Sequence, residues 1–112
     1  METQHAVAFP DASPVADGHM LVAPRKHVST IYELTMAEQH AIWEVVGQVR
    51  ERLLTGLKPD GFMIGFSDGF AAGQTVQHAH VHIVPRSNGS VPEPRAGIRW
   101  VNADNAPYSQ KP

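Results

Sequence analysis

Apolar residues at helical spacing mark one long helix near the middle of the chain. The stripe follows a 3.6-residue period, as in a helix with one buried face, and consists of Ile42, Val45, Val46, Val49, Leu53 and Leu54. Thr35 and Glu38 have the spacing of a capping box. We therefore expect a helix from about Met36 to Thr55, stopped near Gly56 and Pro59. Trp43 is expected in the core, and the polar residues Glu44, Gln48, Arg50 and Glu51 face solvent.

Shorter apolar runs predict strands. Three of them lie at Ala6 to Phe9, Met20 to Ala23 and Gly61 to Phe66. A fourth is indicated by strict alternation, which places alternate side chains on opposite faces of a strand. Its one face would carry His78, His80 and His82, and its other face Ala79, Val81 and Ile83. Pro85 is expected to end this strand.

Length and composition predict one globular domain. The chain has 112 residues, of which 42% are hydrophobic, within the range of single domains. We place the core at about residues 6–90. Residues 91–112 contain four prolines, so we expect a mostly irregular tail there.

Charge and residue usage narrow the classes of function. The net charge is −2 and the isoelectric point is near 6.4, which argues against a broad nucleic-acid-binding surface. The sequence contains no long apolar run and no secretory signal pattern, so we expect a cytoplasmic protein without a membrane partner. It also contains no cysteine, which excludes thiolate metal sites.

The histidine row is the strongest candidate for chemistry. Three of the seven histidines lie in it, and imidazoles are costly to bury without partners. A single histidine on a strand is usually structural, but three in alternation favour a function. Two functions stay open on this evidence: a metal site, or direct handling of phosphate or acyl groups.

The residues before this row resemble a known family. Gly73-Gln74-Thr75-Val76 followed by the alternating histidines is similar to the signature of the histidine triad nucleotide hydrolases and transferases. Pro85-Arg86 resembles the fragile-histidine-triad branch and its bacterial relatives. Weaker matches, at Gly18-His19 and in the tail, extend the resemblance from about Ala6 to Tyr108. It implies an α+β fold with an antiparallel sheet and one long helix, and a homodimer.

The resemblance also implies roles for the catalytic residues. His80 would attack a nucleotide α-phosphorus and form a covalent nucleotidyl-histidine, while His78 and His19 orient the site. His82 would contact the phosphate and the scissile bridge. Gln74 would donate through its amide. Because related uridylyltransferases carry Gln at the position of His82, we expect hydrolysis of dinucleoside polyphosphates.

The substrate-binding residues implied by the resemblance surround this centre. They are Asp11, Ser67, Gly73, Gln74, Thr75, Val76 and His82. Asp11 would lie near the ribose hydroxyls, although an aspartate in this sequence context is also typical of a turn. Most family members have Asn or Gln where Ser67 stands, and a serine has only one hydroxyl to offer. Bacterial relatives often start with a Cys-x-x-Cys segment, which this sequence lacks.

Three alternatives remain beside this expectation. The first is a metal-dependent enzyme that uses His78, His80 and His82, since imidazole suits zinc and iron. The second is a nucleotide-binding member of the family with little turnover, and the third a nucleoside phosphoramidase. We expect no metal at the site and no tightly bound cofactor, with magnesium entering only on a polyphosphate substrate.

Overall fold

The computed structural model describes residues 1–89. The irregular tail predicted over residues 91–112 lies outside the described residues, and so does the tail part of the family resemblance. The division into a core and a tail therefore stays a prediction.

A four-stranded antiparallel sheet forms one layer of the fold. Its strands are β1 (Ala6–Pro10), β2 (Met20–Pro24), β3 (Gly61–Gly65) and β4 (Val81–Arg86), in the spatial order β1-β2-β4-β3. The register pairs Ala8 with Val22, and Val22 in turn with Val81. Together with one long helix, this sheet confirms the predicted α+β class.

The helix α1 (Met36–Leu57) begins at the predicted capping box. The Glu38 N–H donates to the Thr35 hydroxyl over 3.1 Å, and the Thr35 N–H donates to the Glu38 carboxylate over 2.8 Å. The helix continues two residues beyond the predicted end. Gly56 does not stop it, because a glycine inside a helix costs only about 1 kcal/mol. The end comes at Lys58, which adopts a left-handed conformation with φ 52°.

One face of α1 packs on the sheet and forms the core. Ile42, Val45, Val46 and Val49 are buried, as are Val22, Val81 and Ile83 from the strands. The prediction that Trp43 lies in the core is wrong, since 42% of this residue is exposed. One step along a helix turns a side chain by about 100°, which places Trp43 at the margin of the buried face, where it contacts the ring of Phe66. In the described part of the chain, no helix combines the length and apolarity that a membrane span requires.

The strand that carries the histidines is shorter at its start and longer at its end than predicted. It begins at Val81, so His78 and His80 precede it. The ladder to β2 ends at the Val22–Val81 pair, because Pro24 has no N–H and its carbonyl accepts a bond from the His78 ring. Pro85 does not end the strand but pairs with Phe62. The ladder to β2 does not reach Pro85, so its missing N–H breaks no bond there.

Candidate active site

The ring of His80 presents one unprotonated nitrogen. Its Nδ1 lies 2.8 Å from the carbonyl oxygen of His78. Because a carbonyl can only accept, the proton of neutral His80 must reside on Nδ1. The lone pair therefore lies on Nε2. His80 is half-buried, so this nitrogen is fixed in orientation and available as a nucleophile.

His78 is oriented by a second carbonyl and by a histidine that the sequence did not single out. Its Nε2–H donates to the Pro24 carbonyl over 2.7 Å. Its Nδ1 is thus an acceptor and lies 2.9 Å from Nδ1 of His27, which must donate. In the sequence His27 follows Arg25 and Lys26, a polar run typical of a solvated turn. All three are exposed, but nothing in that sequence indicates the contact of His27 with the triad.

His19 and His82 form a second hydrogen-bonded pair. The Val15 N–H donates to Nδ1 of His19 over 3.1 Å, so the proton of neutral His19 lies on Nε2. That Nε2–H points at Nδ1 of His82, 2.9 Å away. Neutral His82 consequently carries its own proton on Nε2, which has no hydrogen-bond acceptor within residues 1–89. His19 is 5% exposed, and it orients the third member of the triad.

Burial and the neighbouring imidazoles lower the pKa of His82 and favour its neutral form. Burial is the main cause that lowers the pKa of His82, followed by the nearby imidazoles of His80 and His19, while the carboxylate of Asp11 raises it. The net pKa lies below its ordinary value of 6.5. The rings of His80 and His82 are 5.0 Å apart, so the neutral form of His82 adds no positive charge beside the ring of His80.

Asp11 lies against the His19–His82 pair. Its Oδ1 accepts the Ser13 N–H over 2.8 Å, which confirms the turn interpretation. Its Oδ2 is 3.4 Å from Nε2 of His19 and 3.8 Å from Nδ1 of His82. The contact with ribose hydroxyls remains a prediction, and the contact with the histidines was not foreseen from the sequence.

The atoms of Asp11, His19 and His82 are close enough to share a metal ion, within 4.8 Å of one another. Within residues 1–89 no such group is formed by the three triad histidines. His19 nevertheless fits an ion poorly, because its Nδ1 accepts the Val15 N–H and its Nε2 therefore holds the proton. A metal at Nε2 would require that proton to leave.

We accordingly expect activity to survive removal of metals. The purified protein should contain far less than one zinc or iron per chain, and turnover should persist after a chelator and gel filtration, assayed with and without magnesium. Elemental analysis and rates measured on the same sample test this. One equivalent of zinc, with activity lost on chelation and regained on zinc addition, would favour the metal-dependent alternative.

The side chain of Gln74 hydrogen-bonds to the backbone around it and so positions the segment that precedes the three histidines. It is 8% exposed, and its Nε2 donates to the carbonyls of Ser29 and Val76 over 2.8 and 2.9 Å. Its Oε1 accepts the Gly69 N–H over 2.8 Å. Both amide hydrogens are thus engaged, so the prediction that Gln74 donates to phosphate is not supported. The structure gives it a positioning role instead.

The backbone of the same segment offers two amides to an anion. The N–H groups of Gly73 and Gln74 already donate to the carbonyls of Phe70 and Gly69. Within residues 1–89, those of Thr75 and Val76 have no internal acceptor. Gly73 has a φ of 101°, and a Cβ there would lie 3.7 Å from the Ser67 hydroxyl oxygen. Ser67 therefore lies beside this segment, as expected from the sequence.

Comparisons with known proteins identify relatives of this chain. A HIT-like protein of Mycoplasma genitalium is 44% identical over 85 residues, which cover 76% of this chain and 60% of the relative. The bis(5'-nucleosyl)-tetraphosphatase (asymmetrical) of Schizosaccharomyces pombe is 35% identical over 91 residues, which cover 81% of this chain and 50% of the relative. The chain thus spans about half to three-fifths of the length of these curated relatives.

Solved structures show the same fold. A HIT family protein from Bacillus anthracis superposes with a TM-score of 0.74 at 31% identity, covering 94% of this chain and 84% of the other. The model of the HIT domain family matches residues 1–89, the range that holds the sheet, the helix and all five histidines of the site. The chain therefore belongs to the HIT domain family.

Proposed function

We propose that the protein hydrolyses dinucleoside polyphosphates at the α-phosphorus through a nucleotidyl-histidine. The observation that carries this proposal is the pair of complementary nitrogens on neighbouring rings. His80 offers the unprotonated Nε2 and His82 offers an Nε2–H. One can attack phosphorus while the other donates to a phosphate oxygen, with no metal needed to arrange them.

The first step transfers the nucleotide to the protein. Nε2 of His80 forms a bond to the α-phosphorus, and the bond from that phosphorus to the bridging oxygen breaks with its electron pair on the leaving nucleotide. The carbonyl of His78 accepts Nδ1–H of the ring and thereby stabilises the positive charge that develops on His80. The amides of Thr75 and Val76 are available to the phosphate oxygens, where each well-placed donor is worth roughly 3–4 kcal/mol.

The second step returns the free enzyme. Water attacks the phosphorus and gives up a proton to solvent, the phosphorus–nitrogen bond breaks with its electron pair on Nε2 of His80, and a nucleoside monophosphate leaves. Splitting one difficult displacement into two is the general advantage of a covalent intermediate. His82, in place of the Gln of the related transferases, favours water as the acceptor.

The cytoplasmic location remains a prediction, as does a role for magnesium on the substrate alone.

The substrate class rests on the relatives and on the branch motif. The yeast relative bears the name of a dinucleoside tetraphosphatase, and Pro85-Arg86, the last two residues of β4, come after the histidine row as in the fragile-histidine-triad branch. The test compares diadenosine tri- and tetraphosphate with an adenosine phosphoramidate and identifies the products. We expect the dinucleotides to have the higher kcat/KM. A tenfold preference for the phosphoramidate would favour the phosphoramidase alternative, and binding without turnover of any of them would favour a nucleotide-binding protein.

Ser67→Asn should tighten substrate binding. An amide restores a donor and an acceptor beside Gly73, and one uncharged hydrogen bond changes affinity by roughly threefold to tenfold. We expect KM for diadenosine triphosphate to fall by about this factor, with little change in kcat because His80 is untouched. Ser67→Ala is the control, since it removes the hydroxyl without adding an amide. Unchanged or weaker binding in Ser67→Asn would show that serine is matched to another ligand.

We propose further that the protein is a homodimer joined through β3. The outer edge of β1 is covered, because Glu2 bridges Val7 and the Ala8 N–H donates to the Met1 carbonyl. At the other edge, β3 exposes Met63 and Ile64 by 49% and 37%. An apolar edge strand is a template for pairing with another chain.

Met63→Lys should therefore weaken self-association. A charge on the edge opposes pairing, so we expect light scattering to show a dimer for the natural protein and a shift toward monomer for the variant. Val15→Lys is a matched control, since Val15 is also an exposed apolar residue but lies in the β1–β2 connection. A monomeric natural protein, or an equal effect of both substitutions, would contradict the β3 interface.

A further inference from the structure

The carboxylate of Asp11 is held in place with one oxygen aimed at two imidazoles. Its Oδ1 is fixed by the Ser13 N–H, and its Oδ2 lies 3.4 Å from His19 and 3.8 Å from His82. The side chains of Asp11 and His19 are only 18% and 4% exposed. Water therefore screens this carboxylate less than it would screen one on the surface.

The hydrogen bond between the two rings exists only while His82 is neutral. Nε2 of His19 carries a hydrogen because its Nδ1 accepts the Val15 N–H. That hydrogen is donated to the lone pair on Nδ1 of His82. When His82 takes up a proton at Nδ1, two N–H groups face each other across 2.9 Å, and the bond between the rings is lost.

The same carboxylate oxygen lies near both of those nitrogens. It can accept the hydrogen of His82 once the ring is an imidazolium, and it favours that form by its charge. Among residues 1–89, the other titratable groups that face His82 are the rings of His80 and His19, and both disfavour the imidazolium. Asp11 thus raises the pKa of His82, whereas burial and the two imidazoles lower it.

We propose that Asp11 is a positioning residue that sets the pH at which the His19–His82 pair breaks. This role is separate from the ribose contact that the family resemblance implies. Its consequence for turnover rests on the proposed hydrolase function. Protonation of His82 would break its hydrogen bond to His19 and place a positive charge beside the ring of His80. The titration itself does not depend on any substrate.

The first test is a titration of the substrate-free protein. Histidine ring nitrogens would be followed by long-range ¹H–¹⁵N NMR in the natural protein and in Asp11→Asn. We expect the pKa of His82 to fall by at least about 0.7 pH unit in Asp11→Asn, because a unit charge about 4 Å away is worth about 1 kcal/mol in bulk water and more where water screens it less. Asp17→Asn is the matched control, since Asp17 is an exposed acid of the same connection, and should leave the midpoint in place. An unchanged midpoint in Asp11→Asn, or an equal shift in the control, would overturn the proposal.

The second test separates the histidine role from a ribose role. The pH profile of kcat/KM would be measured for diadenosine triphosphate and for its analogue without ribose 2'- and 3'-hydroxyls. If Asp11 acts through His82, Asp11→Asn moves the acidic limb to lower pH with both substrates. If it acts only on ribose, the variant raises KM for the natural substrate and leaves both limbs where they were, which overturns the proposal. Should neither compound be hydrolysed, the proposed function fails while the NMR titration still decides the role of Asp11.

Discussion

Replacing His80 with Ala should abolish turnover without unfolding the protein. The substitution removes the nitrogen that is proposed to bond to phosphorus, and losses of a catalytic nucleophile commonly reach a thousandfold or more, on the order of 10³–10⁶. His80 is only half-buried, and within residues 1–89 its ring hydrogen-bonds to the His78 carbonyl. We therefore expect the free energy of unfolding to change by no more than about 1–2 kcal/mol. Steady-state rates and urea unfolding on the same preparation measure both quantities.

His40→Ala is the control for this experiment. His40 is an exposed histidine within α1, so the substitution removes an imidazole from the protein but not from the site. Its rate should match that of the natural protein. If the activity of His80→Ala lay within a few fold of the control, His80 could not be the nucleophile.

Replacing Gln74 with Leu should impair both stability and catalysis. Leucine is similar in size but cannot hydrogen-bond, so the carbonyls of Ser29 and Val76 and the Gly69 N–H lose their partner. Unpaired groups of this kind cost about 1–3 kcal/mol each when water cannot replace the bond. Ser29, Gly69 and Val76 are all exposed residues, so water can replace part of these bonds, and we expect a total loss of roughly 1–3 kcal/mol. Turnover should fall by about a hundredfold, because misplacement by about 1 Å has that effect.

Gln48→Leu provides the matched control, since Gln48 is exposed on α1. It should change the unfolding free energy by less than about 0.5 kcal/mol. Chemical denaturation and the kcat of both variants are the measurements. If Gln74→Leu were as stable as the control and lost only kcat, the amide would act on the substrate directly, as predicted from the sequence. The positioning role of Gln74 would then be wrong.

The sheet and the helix were predictable because each is encoded locally. The stripe from Ile42 to Val49 and the Thr35–Glu38 box require only neighbours along the chain. Alternation at residues 78–83 also gave the correct buried face, with Ala79, Val81 and Ile83 inside. Strand ends were less predictable, since the start of β4 depends on the missing N–H of Pro24 in another strand.

The contacts within the site depend on tertiary structure and left less trace in the sequence. His27 lies 51 positions before His78, and His19 lies 63 positions before His82. The resemblance identified His19 but not which ring it contacts, and it gave no hint of His27. The sequence identified Gln74 as a site residue but not the groups to which its amide donates, because a glutamine amide can donate equally well to a phosphate or to a main-chain carbonyl.

The central claim is tested most directly by capturing the covalent intermediate. The protein would be mixed rapidly with diadenosine triphosphate, quenched in denaturant, digested under conditions that preserve phosphorus–nitrogen bonds, and examined by mass spectrometry. The account predicts an adenylyl group on the ring of His80, formed as fast as the first turnover and absent from His80→Ala. Turnover without any adduct, or an adduct on His78 or His82 that persists in His80→Ala, would contradict it.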